Sequence, residues 1–279
     1  MTAFEHEALP ALDTPYTVEP SAAAQFAADG HALLRRLASA TEVAAYRGRI
    51  EAAAARASFE RRPLRERDTY GAAFLQCVNL WRVDAAVRRF VSSPRFAKAA
   101  ADLLAVDGVR LYHDQALLKE PGGGHTPWHQ DQFYWPFDTE KTITMWMPLA
   151  DLDAAVGSMT FATGSHRAGK LRGHAISDAS EAEFARLVRD EQLPEHTYGA
   201  LRAGDATFHA GWTLHRAGPN PTDRMRPVMT VIYFADGARV SEPDSVYQRF
   251  DLATWLPGMQ PGDLAASEIN PRLWPPYDT

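Results

Sequence analysis

A single cysteine, Cys77, is all that the sequence holds, so no disulfide can form within the chain and a thiolate metal cluster is excluded. It stands in the apolar run Phe74-Leu75-Gln76-Cys77-Val78 and reads as a buried, inert thiol. Basic charge is also short. Lysine and arginine number 29 against 35 acids, a formal net charge of −6, which argues against a nucleic-acid partner because phosphate binding needs a basic face. The basic cluster Arg61, Arg62, Arg65 and Arg67 is broken up by Glu60, Glu66 and Asp68 and reads as a solvated face. Long apolar runs are missing too. No window approaches the roughly 18 apolar residues of a membrane span, and no membrane partner is expected. The first twenty residues carry acids and Pro10, Pro15 and Pro20 where a signal peptide needs a basic region and an apolar stretch. A cytoplasmic protein is the expectation.

What is present suits an enzyme-sized globule. Hydrophobic residues make up 46% and charged residues 23% of 279 positions, enough for a sizeable core in one domain spanning 1–279. Residues 1–20 read as a loose arm and 21–108 as mostly helical support. Helical spacing covers 21–57, with Ser21 and Thr41 as N-caps and Gly30 as a break; Leu33-Leu34 fits a helix or a short strand. A second helical pair covers 84–104, interrupted at Pro94. From Val109 the elements shorten and become β-rich, with strands at 109–119, 126–133, 142–149, 157–162, 205–209 and 227–234. Such spacing, with turns between, points to a jelly-roll core over 109–236, with a helical insertion near 178–192. The tail 237–279 reads as irregular cover over one face.

Three residues carry the chemistry. His129 and Asp131 lie in Trp128-His129-Gln130-Asp131, two apart in a predicted strand, so both side chains point to one face. His215, far along the chain, is placed to join them from a neighbouring strand. Two neutral imidazoles and a carboxylate form the facial triad of non-haem Fe(II) oxygenases, with open positions left on the metal. Arg226 follows His215 by eleven residues across the turn Gly218-Pro219-Asn220-Pro221. A hairpin of that length returns a guanidinium to the same cavity, where it would clamp a carboxylate. The apolar strand after Arg226 favours it over Arg224. The aromatic set Phe133, Tyr134, Trp135 and Phe137 exceeds what a core needs and is expected to line part of a substrate pocket.

The segments WHQDQFYWP, TMWMPLADLDAAVGSMTFATGSHR and GDATFHAGWTLHRAGPNPTDRMRP resemble the phytanoyl-CoA dioxygenase family, from about Phe26 to Phe234. The resemblance implies a mainly β fold with flanking helices, built on a double-stranded β-helix of the jelly-roll or cupin-like kind. It implies Fe(II) held by His129, Asp131 and His215, with 2-oxoglutarate as co-substrate held at its far end by Arg226. Trp146 matches the family's tryptophan against the co-substrate, and Gln115 a position that contacts it. Thr144, two residues before Trp146, is expected to share that inward face and to contact the co-substrate, unless it is a satisfied polar group of the sheet. The family does not use the positions of His125, His166 or His209 as ligands, and His209 reads as a supporting residue. His113 and Asp114 face either the substrate or solvent. Relatives that halogenate replace the carboxylate ligand with a small residue, so Asp131 argues against halogenation. The resemblance implies oxidation of a C–H bond by O2 in a small substrate, in secondary metabolism as in bacterial members of the family. The insertion and the tail are candidate lids. Two other readings stand beside this one: a cupin-like metalloenzyme without 2-oxoglutarate, and a binding protein on the same fold.

Overall fold

The computed structural model describes residues 9–154, 156–171 and 174–276; residues 1–8 of the expected arm lie outside them. Two antiparallel sheets face each other. The larger is built from β1 (His31–Leu34), β2 (Leu75–Val78), β3 (Val109–Lys119), β5 (Thr142–Pro148), β8 (Ala206–Ala210), β10 (Arg226–Ala235) and β11 (Arg272–Trp274). Its order is β1-β8-β5-β10-β3-β11, with β2 also on β3. The smaller holds β4 (Thr126–His129), β9 (His215–Ala217), β6 (Met159–Ala162) and β7 (Glu195–His196), in the order β4-β9-β6-β7. This is the jelly roll read from the sequence, a curled half-barrel with helices on its outside.

Strand parity explains how one sheet serves two purposes. Ile143, Met145 and Met147 of β5, Met229, Val231 and Tyr233 of β10, and Ala116 and Leu118 of β3 join one core on the outer face. Helices α1 (Pro20–Asp29), α2 (Ala40–Ala57), α4 (Ala85–Val91) and α5 (Pro94–Leu104) close that core with Phe26, Tyr46, Ile50, Phe90 and Phe96. The alternate residues Gln115, Leu117, Thr144, Trp146, Thr230 and Ile232 turn inward and line a cavity. Both faces are buried, so these strands look continuously apolar in places and yet carry polar inward positions. The short α3 (Thr69–Ala73) lies beside β4, while α6 (Asp178–Asp190) packs Phe184 and Val188 on Trp128, Ala162 and Leu214 outside the smaller sheet. α7 (Val246–Trp255) comes from the tail.

Several expectations need correction. The strand expected at 126–133 ends at His129, and Asp131–Phe133 form a 3-10 turn, because Phe133, Tyr134 and Trp135 bond back to the carbonyls of Gln130, Asp131 and Gln132. Ser39 rather than Thr41 caps α2, in a capping box with Glu42 that the Ser-x-x-Glu spacing allows. Pro20 occupies the first turn of α1, and Glu19 stands where Ser21 was expected. Leu33-Leu34 is strand. The tail is not irregular throughout, since it holds both α7 and β11. No helix among the described residues is long and apolar enough to cross a membrane.

Candidate metal centre

His129 and His215 stand directly opposite each other in the β4–β9 pair, their ring centroids 4.0 Å apart. Gln130 stays extended, at φ −117° and ψ 126°, which keeps the Asp131 carboxylate on the same side as His129 although the strand has ended. Gln130 itself points the other way. Its amide donates to the carbonyls of Gly169 and Trp212 and accepts from the Leu171 N–H, which ties the ligand segment to two loops. The three ligating atoms lie within 4.8 Å of one another. Asp131 Oδ1 is 3.5 Å from His129 Nε2 and 3.6 Å from His215 Nε2.

Each group is prepared to donate a lone pair to the common point. His129 Nδ1 donates to the Pro127 carbonyl at 2.8 Å and His215 Nδ1 to the Thr213 carbonyl at 2.9 Å, so the tautomer carrying the proton on Nδ1 leaves both Nε2 atoms free. Burial, with His129 and His209 nearby, pushes the His215 pKa well below the usual imidazole value and keeps that ring neutral. Burial opposes the Asp131 charge, but its surroundings, with His209 donating a hydrogen bond, hold its carboxyl well below the usual range.

The second oxygen of Asp131 is fully occupied. Oδ2 accepts from the Thr144 hydroxyl at 2.8 Å and from His209 Nε2 at 3.0 Å. Thr144 and His209 are partners in the β5–β8 register, so one cross-strand pair fixes the carboxylate and leaves Oδ1 for the metal. Spacing suggested Thr144 as a co-substrate contact; the structure places its hydroxyl on Asp131. We expect Thr144→Val, which keeps the shape and removes the donor, to weaken Mn(II) binding by about 10- to 100-fold, read by titration of the apo-protein. An unchanged affinity would mean that the pair does not orient the ligand.

Gly211 keeps the two ligand segments together. The Gln132 N–H donates to its carbonyl and its own N–H donates to Thr142. A Cβ at Gly211 would run into Thr142 Oγ1 and lie 2.7 Å from Gln132 Oε1. Gly211→Ala should therefore move the turn carrying Asp131 and weaken metal binding while circular dichroism stays native.

Arg226 opens β10 at the far end of the same cavity, whose volume is about 510 Å³. The hairpin before it is pinned by the buried Asn220, whose amide donates to the carbonyls of Lys119, Glu120 and Arg224. Arg226 is 2% exposed, and its guanidinium carbon sits 5.3 Å from the centroid of the Trp146 ring. One nitrogen donates to the Gly157 carbonyl, while Nε has no partner. Burial lowers its pKa to about 9, still cationic at neutral pH. Lys119 is directly across the strand pair, fully buried, and donates to the Gly124 carbonyl; burial and the Arg226 charge bring its pKa down to about 7. Among the described residues neither cation has an acidic partner, so this end of the cavity is built for an anion. Sequence reading missed Lys119, although its odd number puts it on the inward face with Gln115 and Leu117.

The remaining sites separate cleanly. Gln115 and Trp146 line the cavity, as do Tyr134, Trp135 and His113. Asp114 turns outward and takes the N–H groups of Leu80 and Trp81. His125 is exposed and His166 half-buried, neither in the ligand group. Of the two candidate lids, α7 lines the cavity through Tyr247, Phe250, Asp251 and Trp255. α6 does not, although Ala175 and Ile176 just before it do.

A jelly roll that converges two histidines and one carboxylate beside a buried, unpaired arginine has the arrangement of a non-haem iron oxygenase. The chain belongs to the phytanoyl-CoA dioxygenase family, whose model matches residues 26–228. Among curated proteins it is similar to a probable alpha-ketoglutarate-dependent hypophosphite dioxygenase of Stutzerimonas stutzeri, 30% identical over 139 residues, covering 47% of either chain. The chain thus spans about half the length of that relative. Among solved structures it is similar to the epimerase SnoN from nogalamycin biosynthesis, seen in complex with Fe3+, alpha ketoglutarate and nogalamycin RO, with TM-score 0.73 and 28% identity over 91% of this chain and 97% of that one. The carbocyclase SnoK from the same biosynthesis shares the fold, with TM-score 0.74 and 23% identity over 92% of this chain and 98% of that one.

Proposed function

We propose that the protein is an Fe(II)- and 2-oxoglutarate-dependent dioxygenase that oxidises a C–H bond of a small organic substrate in secondary metabolism. The observation that carries this reading is the shared cavity: three lone pairs converge at its middle, and an uncompensated guanidinium waits at its end. His129, Asp131 and His215 would hold the iron, and Arg226, stacked on Trp146, would take the distal carboxylate of 2-oxoglutarate in a charge-assisted pair. Gln115, which lines the same cavity, would contact the co-substrate between them. Bound iron would supply the oxidising chemistry, in which O2 and 2-oxoglutarate give succinate and CO2 while the substrate is hydroxylated or cyclised, or epimerised when an external reductant supplies the remaining two electrons. The chain's own work is positional. Thr144 and His209 keep Asp131 presenting one oxygen, the Pro127 and Thr213 carbonyls keep both imidazoles aimed, and the aromatic walls exclude water from the reacting atoms.

The test is a visible spectrum recorded without oxygen as Fe(II) and then 2-oxoglutarate are added, with Arg226→Ala alongside. A weak charge-transfer band that needs both additions, and that fades in the variant, is the expected result. Stoichiometric iron binding with no band would move the protein to a cupin-like metalloenzyme or a binding protein.

A further inference from the structure

Away from the metal, one face of α7 forms part of the cavity wall. Tyr247, Phe250, Asp251 and Trp255 all line it, at the three- and four-residue spacing that puts side chains on one helix face. Tyr134, Trp135 and Ile232 line it as well. Phe250 stays 63% exposed and Tyr247 42% exposed, next to Val246, which is also exposed. Single exposed apolar residues are ordinary, but three on one turn at the rim of a cavity mark a binding surface.

One carboxyl interrupts this aromatic wall. Asp251 is buried, and its Oδ2 accepts from the Tyr112 hydroxyl at 2.9 Å. Among the described residues no lysine, arginine or histidine forms an ion pair with it. Tyr112 is itself wedged among Trp135, Phe137 and Phe234, so the carboxyl is held in place rather than free to turn towards solvent. Burial raises its pKa to about 7 despite hydrogen bonds from Tyr112 and Trp255. An unsatisfied group lies nearby. His113 Nδ1 is buried without a partner, and its ring is 5.4 Å from that of Trp255.

Charge sign then selects the ligand. A buried carboxylate without a cation is expensive unless the ligand brings one. Among the described residues, the lysines and arginines that line this cavity are Arg226, at its far end, and Arg216, which is already paired with Glu181 and Glu195.

We propose that the α7 face is the substrate wall, and that Asp251 pairs with a protonated amine carried by an otherwise apolar, ring-containing substrate stacked against Tyr247, Phe250 and Trp255. The proposal deepens the oxygenase reading and rests on it for placing the substrate beside the metal. It departs from the anionic substrate that hypophosphite would be.

Three matched fluorescent probes test it: 9-(methylaminomethyl)anthracene, 9-anthracenemethanol and anthracene-9-carboxylate. Each is titrated without oxygen into protein holding Fe(II) and 2-oxoglutarate, and into the metal-free protein. The amine should bind at least about tenfold more tightly than the carboxylate, with the alcohol between them. Asp251→Asn, isosteric and checked by its melting temperature, should bring the amine and alcohol together. Phe250→Ser, a change at an exposed position, should weaken all three probes alike. Equal binding of amine and alcohol, a preference for the carboxylate, or a preference that survives Asp251→Asn would overturn the proposal. The charge-transfer band reports separately on the oxygenase reading: probe selectivity without the band rejects that reading and keeps the Asp251 assignment, and the reverse pattern does the opposite.

Discussion

Asp131→Ala protein is expected to fold, to bind Mn(II) or Fe(II) far more weakly than the parent, and to show no metal-dependent release of succinate. The magnitude follows from the geometry. Removing a group that merely orients a metal ligand costs about 10- to 100-fold in affinity, and Asp131 is the only anionic member of the triad, so its loss should exceed that range. The fold should survive because the carboxylate faces the cavity and not the apolar cores. Its partners Thr144 and His209 are released towards the space that the carboxylate leaves. Metal titration followed by isothermal calorimetry, with a melting curve for the apo-protein, checks both halves. Retained turnover in Asp131→Ala would sink the assignment of the triad.

The second large effect lies at the other end of the cavity, and its size differs between the free and the loaded protein. Arg226→Met should raise the dissociation constant of 2-oxoglutarate by the amount lost when one member of a buried charge pair is truncated, about 2–5 kcal/mol or roughly 30- to several-thousand-fold. In the apo-protein the same change removes a buried cation whose Nε has no partner. That relief opposes the loss of the bond to the Gly157 carbonyl, so the apo melting temperature should barely move. Adding 2-oxoglutarate and Mn(II) should then raise the melting temperature of the parent but not of the variant, because only a bound ligand stabilises the folded state. A variant that still gains the full thermal shift would show that the co-substrate is held elsewhere.

Much of this was legible before any coordinates. His129, Asp131 and His215 could be found because two of them share a strand-like segment, and the third precedes a turn and a buried arginine at hairpin distance. β3 and β10 were readable as long strands bounded by turn residues. What escaped depended on register. The opposition of Thr144 and His209, which explains why Asp131 offers one oxygen, exists only once β5 and β8 are paired. β2, β7, β9 and β11 are two to four residues long, too short for alternation to announce them. The 3-10 turn at Asp131 has no periodic signature either, and its extended Gln130 let the strand argument succeed for a segment that is only partly strand. α7 was hidden by the proline- and tryptophan-rich stretch around it, so the carboxyl of Asp251 could not be placed on any wall.

The parity of the larger sheet has a bearing on how the protein can change. Met229 and Val231 answer to the helices, while Thr230 and Ile232, one step along the same strand, answer to the cavity. Neighbours in sequence thus belong to separate packing neighbourhoods, and substitutions that share no partners combine almost independently. A lineage, or a laboratory library, confined to positions 113, 230 and 232 could explore new substrates while the scaffold's outer side stays untouched. Tolerance to innovation is, in this fold, a matter of odd and even.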